Sequence, residues 1–313
     1  MKNRIIRSLS VSVNRKLFLL AAGVLMSISA CGVVLAQDQV IYSGDQIDPT
    51  RITIGSWGSG LCEESSKNGY GGSRSLRITS GSLYEGGRLD FAEPLDLTAA
   101  FINPNAYFQL IVKVRQTASG YDELTAGFAP PTYDDYETGL ASSGGRPVNR
   151  VRLFLVLEGG AMLESQADLS GFKLTDGDWV PVSFPFAVLK GKLGLQEYKV
   201  KRLVIAGDGT EPFFVGEIGV ITDRKPIQVY PGEDQFVAAY DDVMFRADCD
   251  GGASALKYAW DFDSGDGVQE DTVGEVVYHQ YRKPGEYTVT LTVSDMFGVK
   301  KPAVATLEVT VYD

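Results

Sequence analysis

Histidine and cysteine, the side chains that most readily exchange protons near neutral pH, attack carbon or hold a transition metal, are few in this chain. It has one histidine, His279, and three cysteines, Cys31, Cys62 and Cys249. A serine or cysteine nucleophile needs a base beside it, so any Ser-His-Asp or Cys-His arrangement would have to pass through His279. That residue sits in Tyr278-His279-Gln280-Tyr281, where a packed structural ring is expected rather than a base. The sequence carries no HExxH, no phosphate-cradling glycine loop ending in Lys-Ser/Thr and no dinucleotide fingerprint. Acids are plentiful, and a glycosidase working through a carboxylate pair needs no histidine, so that chemistry stays open as a minor alternative.

What remains is recognition. Sugars offer flat C–H faces to aromatic rings and hydroxyls to planar polar side chains, so a lectin-like site needs aromatics beside Arg, Gln, Asp or Asn on a solvent-facing sheet. Tyr84, Arg88, Asp90, Tyr107, Gln109 and Arg152 would form such a row if their strands are neighbours, with Trp57 and Tyr70 flanking it from loops. The plain alternative is the ordinary wet face of an antiparallel sheet, or a face covered by another segment.

The elements that would position these residues are strands. Glycine is frequent, with 35 residues, and long amphipathic stretches are hard to find, which points to turn-rich, all-β structure. Strand signals recur at 75–79, 83–91, 107–115, 151–157, 179–186, 200–206 and 213–221, while 58–75 reads as a Gly/Ser-rich loop. Alternation assigns faces. Phe108, Leu110, Val112 and Val114 oppose Tyr107, Gln109, Ile111, Lys113 and Arg115; Leu83, Leu89 and Phe91 oppose Tyr84, Arg88 and Asp90; Val151, Leu153, Leu155 and Leu157 oppose Arg152 and Phe154. Val180, Val182, Phe184 and Phe186 form a further inward row.

The most specific pattern lies near the C-terminus. YAWDFDSGDG at 258–267 is followed by an acidic loop and YHQYRKPGEYTVTLTVSD at 278–295. Tyr287, Val289, Leu291 and Val293 alternate with Thr288, Thr290, Thr292 and Ser294, and Pro284-Gly285 supplies the turn ahead of them. These residues resemble the PKD (polycystic kidney disease) domain, an immunoglobulin-like β-sandwich. The family pattern WDFGDG is here lengthened by Asp263-Ser264. The resemblance implies a spacer or interaction module without chemistry of its own. Some members bind calcium through acids at this end, where Asp261 and Asp295 stand at matching positions.

Further upstream, GGRLDFAEPLDLT, a hydrophobic strand, DGDWVPVSFPF, VKRLVIAG and FFVGEIGVITD together resemble a galactose-binding-like jelly-roll carbohydrate-binding module. That likeness implies glycan binding, and Glu217 is the nearest match to an acid that such modules place near a structural calcium. No other cofactor is implied or required. The Glu-x-Asp-x-x-Glu strand pattern of jelly-roll glycosidases is missing here.

Five basic residues and no acid in the first 36 residues precede an uncharged run from Leu17 to Ala36, the layout of a secretory signal. Cleavage after Ala36, acylation at Cys31 in Ile28-Ser29-Ala30-Cys31, and a retained anchor all place the remainder outside the cytoplasm. Only the second and third would tie it to a membrane. The organisation expected is a leader over 1–36, a jelly roll over 37–222 with an insertion at 116–150, a linker over 223–226 and a PKD-like domain over 227–313. A net charge of −11, more negative still without the basic leader, gives no footprint for nucleic acid. Cys62 and Cys249 either staple the two modules or remain separate thiols. The partners expected are a polysaccharide or cell-surface glycan or, for an adhesive surface protein, envelope proteins.

Overall fold

The computed structural model describes residues 38–71, 73–114, 145–169, 179–189 and 194–313. The leader, with Cys31 and Ala36, and most of the 116–150 insertion lie outside the described residues. The chain folds into β-sandwiches, as an all-β reading requires. Among the described residues no helix is long and apolar enough to cross a membrane.

The first eleven strands are β1 (Gln39–Tyr42), β2 (Ile52–Trp57), β3 (Leu61–Ser65), β4 (Ser75–Thr79), β5 (Gly86–Asp96), β6 (Ala106–Lys113), β7 (Arg150–Leu157), β8 (Met162–Asp168), β9 (Val180–Pro185), β10 (Lys199–Gly207) and β11 (Phe213–Thr222). One sheet runs β3-β4-β11-β6-β9, with β1 also on β11; the other runs β2-β5-β10-β7-β8. Every pairing within them is antiparallel. Leu89, Leu110, Leu155, Val182, Phe184, Leu203 and Ile218 lie fully buried between the sheets, so the alternation of β5, β6, β7 and β9 assigned the inner face correctly.

Three features depart from the sequence reading. β3 forms inside the stretch read as a loop, because Cys62 turns inward against Ile78 and ties Leu61–Ser65 to β4. β8 was not foreseen, although Leu163, Ser165 and Ala167 alternate inward along it. Tyr84 and Leu83 belong to a turn before β5 rather than to the strand, which runs on to Asp96.

The second core gathers Trp260, Phe245, Phe262, Val289, Leu291, Val293 and Val309. Its strands are β12 (Gln228–Tyr230), β13 (Gln235–Ala238), β14 (Asp242–Arg246), β15 (Asp248–Asp250), β16 (Leu256–Asp261), β17 (Thr272–Val273), β18 (Val276–Gln280), β19 (Gly285–Asp295) and β20 (Ala303–Tyr312). A sheet β13-β20-β19-β16-β17 faces the pairs β12-β15 and β14-β18. β13 runs parallel to β20, with Gln235 opposite Val309 and Ala238 opposite Tyr312. The two extra residues in the aspartate corner are absorbed locally: Asp263 accepts from the Gly265 N–H and caps a 3-10 turn over Ser264–Asp266.

Asp223 knits the two cores together. One carboxylate oxygen accepts from Lys300 Nζ at 2.6 Å and from the Ala253 N–H at 2.6 Å, and the other accepts from the Lys225 N–H. Lys300 also donates to the Gly251 carbonyl at 2.6 Å, and the pair is largely covered, at 11% and 14% side-chain exposure. Burial alone would raise the Asp223 carboxyl, but these hydrogen bonds outweigh it and hold it below the usual carboxylate range. Phe297, in the turn between β19 and β20, packs against the first core.

Candidate binding face

The outer face of the β2-β5-β10-β7-β8 sheet is laid out by its register. One row reads Trp57, Gly86, Ala206, Arg152, Gln166; the next Gly55, Arg88, Val204, Phe154, Glu164; the third Thr53, Asp90, Arg202, Val156, Met162. Trp57, Tyr84, Arg88, Asp90 and Arg152, read from the sequence, thus gather on one surface. Phe154, Val204 and Ala206 form a small apolar cluster there, with Trp57 packed against it.

Each arginine is held differently. The Arg152 guanidinium carbon lies 4.3 Å from the Tyr84 ring centroid and 4.8 Å from that of Phe154, and Arg152 donates to Glu164 Oε2 at 2.7 Å. This cation–π contact orients Tyr84, whose residue remains 66% exposed. Arg202 donates to Asp90 Oδ1 at 2.5 Å and lies 5.6 Å from the Trp57 ring centroid. Arg88 has Asp90 Oδ2 3.2 Å from its Nε, yet that buried Nε has no hydrogen-bond partner because its N–H is not aimed there. The Arg88 guanidinium lies across Gly55, where a Cβ would come within 3.1 Å of Nε. Asp90 therefore serves two arginines and Glu164 one. Both carboxylates are engaged by guanidinium groups.

Tyr107 and Gln109 are not part of this surface. β6 belongs to the opposite sheet, so alternation put them outward but on the far side of the sandwich. There the face is covered by the chain itself. Tyr107, 2% exposed, meets Ser254 across 3.4 Å between hydroxyls and has Lys300 5.8 Å from its ring centroid. Gln109 donates to Ser183 at 3.0 Å, and Lys113 is buried and donates to Asn68. Tyr70 also lies on that side, 5.3 Å from Trp179 between ring centroids. Both rings crowd Gly216, where a Cβ would fall 2.2 Å from the Tyr70 Cβ.

The acids considered for calcium have other occupations. Asp261 accepts from the N–H groups of Asp263 and Gln269, and Asp295 from those of Phe297, Val299 and Lys300. Glu217 is half-buried beside the register shift on β11. Among the described residues no three His, Cys, Asp or Glu side chains stand close enough to hold a metal together. Cys62 and Cys249 are both free thiols, and burial pushes that of Cys62 up to about 12. His279 stacks on Phe262 at 4.1 Å, its edge against Tyr281, and burial lowers its pKa.

Sequence reasoning missed Arg202 and Phe154. Arg202 lies in VKRLVIAG, whose apolar bulk reads as a fully buried strand, and Phe154 looked like one more hydrophobe on the outward side of β7. The signal for Arg202 was present: it shares its alternation with Val204 and Ala206, opposite Leu203 and Ile205.

Comparison with known proteins identifies the second sandwich. Residues 223–311 match the family model of the PKD domain, and this part of the chain is a PKD domain. No curated protein matches the chain. Among solved structures, the PKD1 domain of Vibrio anguillarum Epp is 23% identical over 29% of this chain and all of its own length, with a TM-score of 0.22. A Clostridium thermocellum endo-1,4-β-D-xylanase 10B comprising CBM22-1 and GH10 modules, solved with xylohexaose, is 11% identical over 64% of this chain, with a TM-score of 0.33. The chain spans a third of that structure. Fibronectin(III)-like modules of Clostridium thermocellum CbhA are 10% identical over 55% of this chain and 81% of theirs, with a TM-score of 0.23.

Proposed function

We propose that this is an exported, non-catalytic binding protein that holds a polysaccharide or cell-surface glycan on the outer face of the β2-β5-β10-β7-β8 sheet. In this reading residues 37–222 are the jelly-roll binding module, 223–226 the linker and 227–313 the spacer or interaction module. The observation that carries the proposal is the convergence of Trp57, Tyr84, Arg88, Asp90, Arg152 and Arg202 on one sheet face, with ring surface beside fixed planar polar groups. Such a combination suits a sugar, which stacks one face and hydrogen-bonds its rim. Retention on a polysaccharide array, lost on Trp57→Ala and Tyr84→Ala, is the expected result; no retention on any glycan would remove the proposal.

A second reading, adhesion through protein contacts with envelope components, is favoured by aromatics on the second sandwich. Phe236 and Tyr312 stack at 6.5 Å while 70% and 55% exposed. Co-purification with envelope proteins that is unaffected by added sugars, and abolished by Phe236→Ser, would support it instead.

A further inference from the structure

We infer that the ligand of the arginine-bearing face is an anionic glycan, one carrying carboxylate or sulfate groups. This rests on the glycan-binding reading and names its ligand class. Three guanidinium groups, from Arg88, Arg152 and Arg202, stand on adjacent strands of one face, and the two carboxylates bonded to them, Asp90 and Glu164, leave one positive charge over. That excess, within this cluster, stands on a chain whose net charge is −11. A neutral sugar needs no such excess.

The three arginines are not equivalent. Arg152, with 12% of its side chain exposed, is sandwiched by Tyr84 and Phe154 and bonded to Glu164, and Arg202 is committed to Asp90. Arg88 is the most exposed of the three, at 38%; its Nε is buried, so a ligand meets its two terminal amino groups. Its planar fork is held flat over Gly55, where there is no side chain to displace it. A carboxylate or sulfate oxygen pair matches that fork in two parallel charge-assisted hydrogen bonds, which an ammonium could not reproduce. The Tyr84 ring, held over Arg152 on the same face, offers a stacking surface for the sugar ring that bears the anion. The face thus reads one anionic group at Arg88, while Arg152 and Arg202 hold the platform in shape.

The test uses the full chain and affinity electrophoresis or calorimetry against a uronic-acid polymer, the same polymer after reduction of its carboxyls to alcohols, a sulfated dextran and a plain dextran. Binding to the uronate polymer or the sulfated dextran at least tenfold tighter than to its uncharged counterpart is expected, and which of the two binds identifies the anion. That preference should weaken as salt is raised. Arg88→Lys should lose most of it while the protein remains folded by circular dichroism, and Arg77→Ala on the opposite sheet should not alter it. Equal binding to charged and uncharged polymers would overturn this inference and leave glycan binding standing. No binding to any glycan, these four included, would overturn both.

Discussion

The β3-β4-β11-β6-β9 sheet keeps its outer face for the molecule's own use, whereas the β2-β5-β10-β7-β8 sheet turns ordered polar tips toward water. On the first, Tyr107 lies under Ser254 and Lys300, Lys113 reaches Asn68, and Tyr70 with Trp179 closes over Gly216. On the second, Arg88, Arg152 and Arg202 are held by rings and carboxylates of the same face. Both faces carry aromatic and charged residues at alternating positions, and what separates them is whether another segment comes down on top. Alternation tells which side chains leave the core; it does not tell what they meet.

The strongest way to break this contrast is at the junction. Asp223→Ala leaves Lys300 without its counter-charge, with only the Gly251 carbonyl to accept from it, and the Ala253 N–H without its acceptor in a largely covered place, with an expected loss of about 3 kcal/mol. Chemical denaturation should then show the second sandwich melting apart from the first, instead of one shared transition. Because Asp223 is held below the usual carboxylate range, its contribution is present above the unfolded-state pKa and fades as pH falls through the folded-state value, so the wild-type protein should lose it in acid and the variant should not.

Two glycines sharpen the contrast next. Gly216→Val on the covered face forces a side chain into Tyr70 and Trp179 and should cost about 2 kcal/mol in thermal unfolding. Gly55→Ala on the open face meets only the movable Arg88 guanidinium, so stability should change by less than about 1 kcal/mol. Glycan affinity should nevertheless fall, because the fork is displaced. Arg152→Ala, which removes the contact with two rings and with Glu164, should lie between them at about 1–2 kcal/mol and release Tyr84 from its fixed orientation. The smallest effect expected is at His279. Its lowered pKa means that protonation favours the unfolded chain, so stability should decline modestly as pH drops below the unfolded value near 6.5. His279→Phe should flatten that slope in a melting series from pH 7.5 to 5.

The strand pattern made much of this legible. Leu89 and Phe91 against Arg88 and Asp90, or Leu153 and Leu155 against Arg152, could be assigned to the core or outside by alternation alone, since a strand's two faces are fixed by its backbone. The aromatic corner at Tyr258, Trp260 and Phe262 was readable for the same reason. Which strands are neighbours was not. β5 lies between β2 and β10, and β6 between β11 and β9; the β5–β10 and β6–β11 pairings span more than a hundred residues and leave no local trace. Hence Arg88 and Arg152 could be named while Arg202, the residue between their strands, was passed over. Tyr107 and Gln109 were named although they belong to the other layer. β8 shows a milder failure, because MLESQAD alternates but is polar enough to pass for a loop.

The parallel pairing of β13 with β20 bears on how the molecule would carry tension. When a chain is drawn out from both ends, two strands that run the same way are dragged past each other, and the hydrogen bonds between them are strained together in shear. An antiparallel hairpin pulled at its open end parts one rung after another. The four residue pairs from Gln235–Val309 to Ala238–Tyr312 would therefore bear such a pull together.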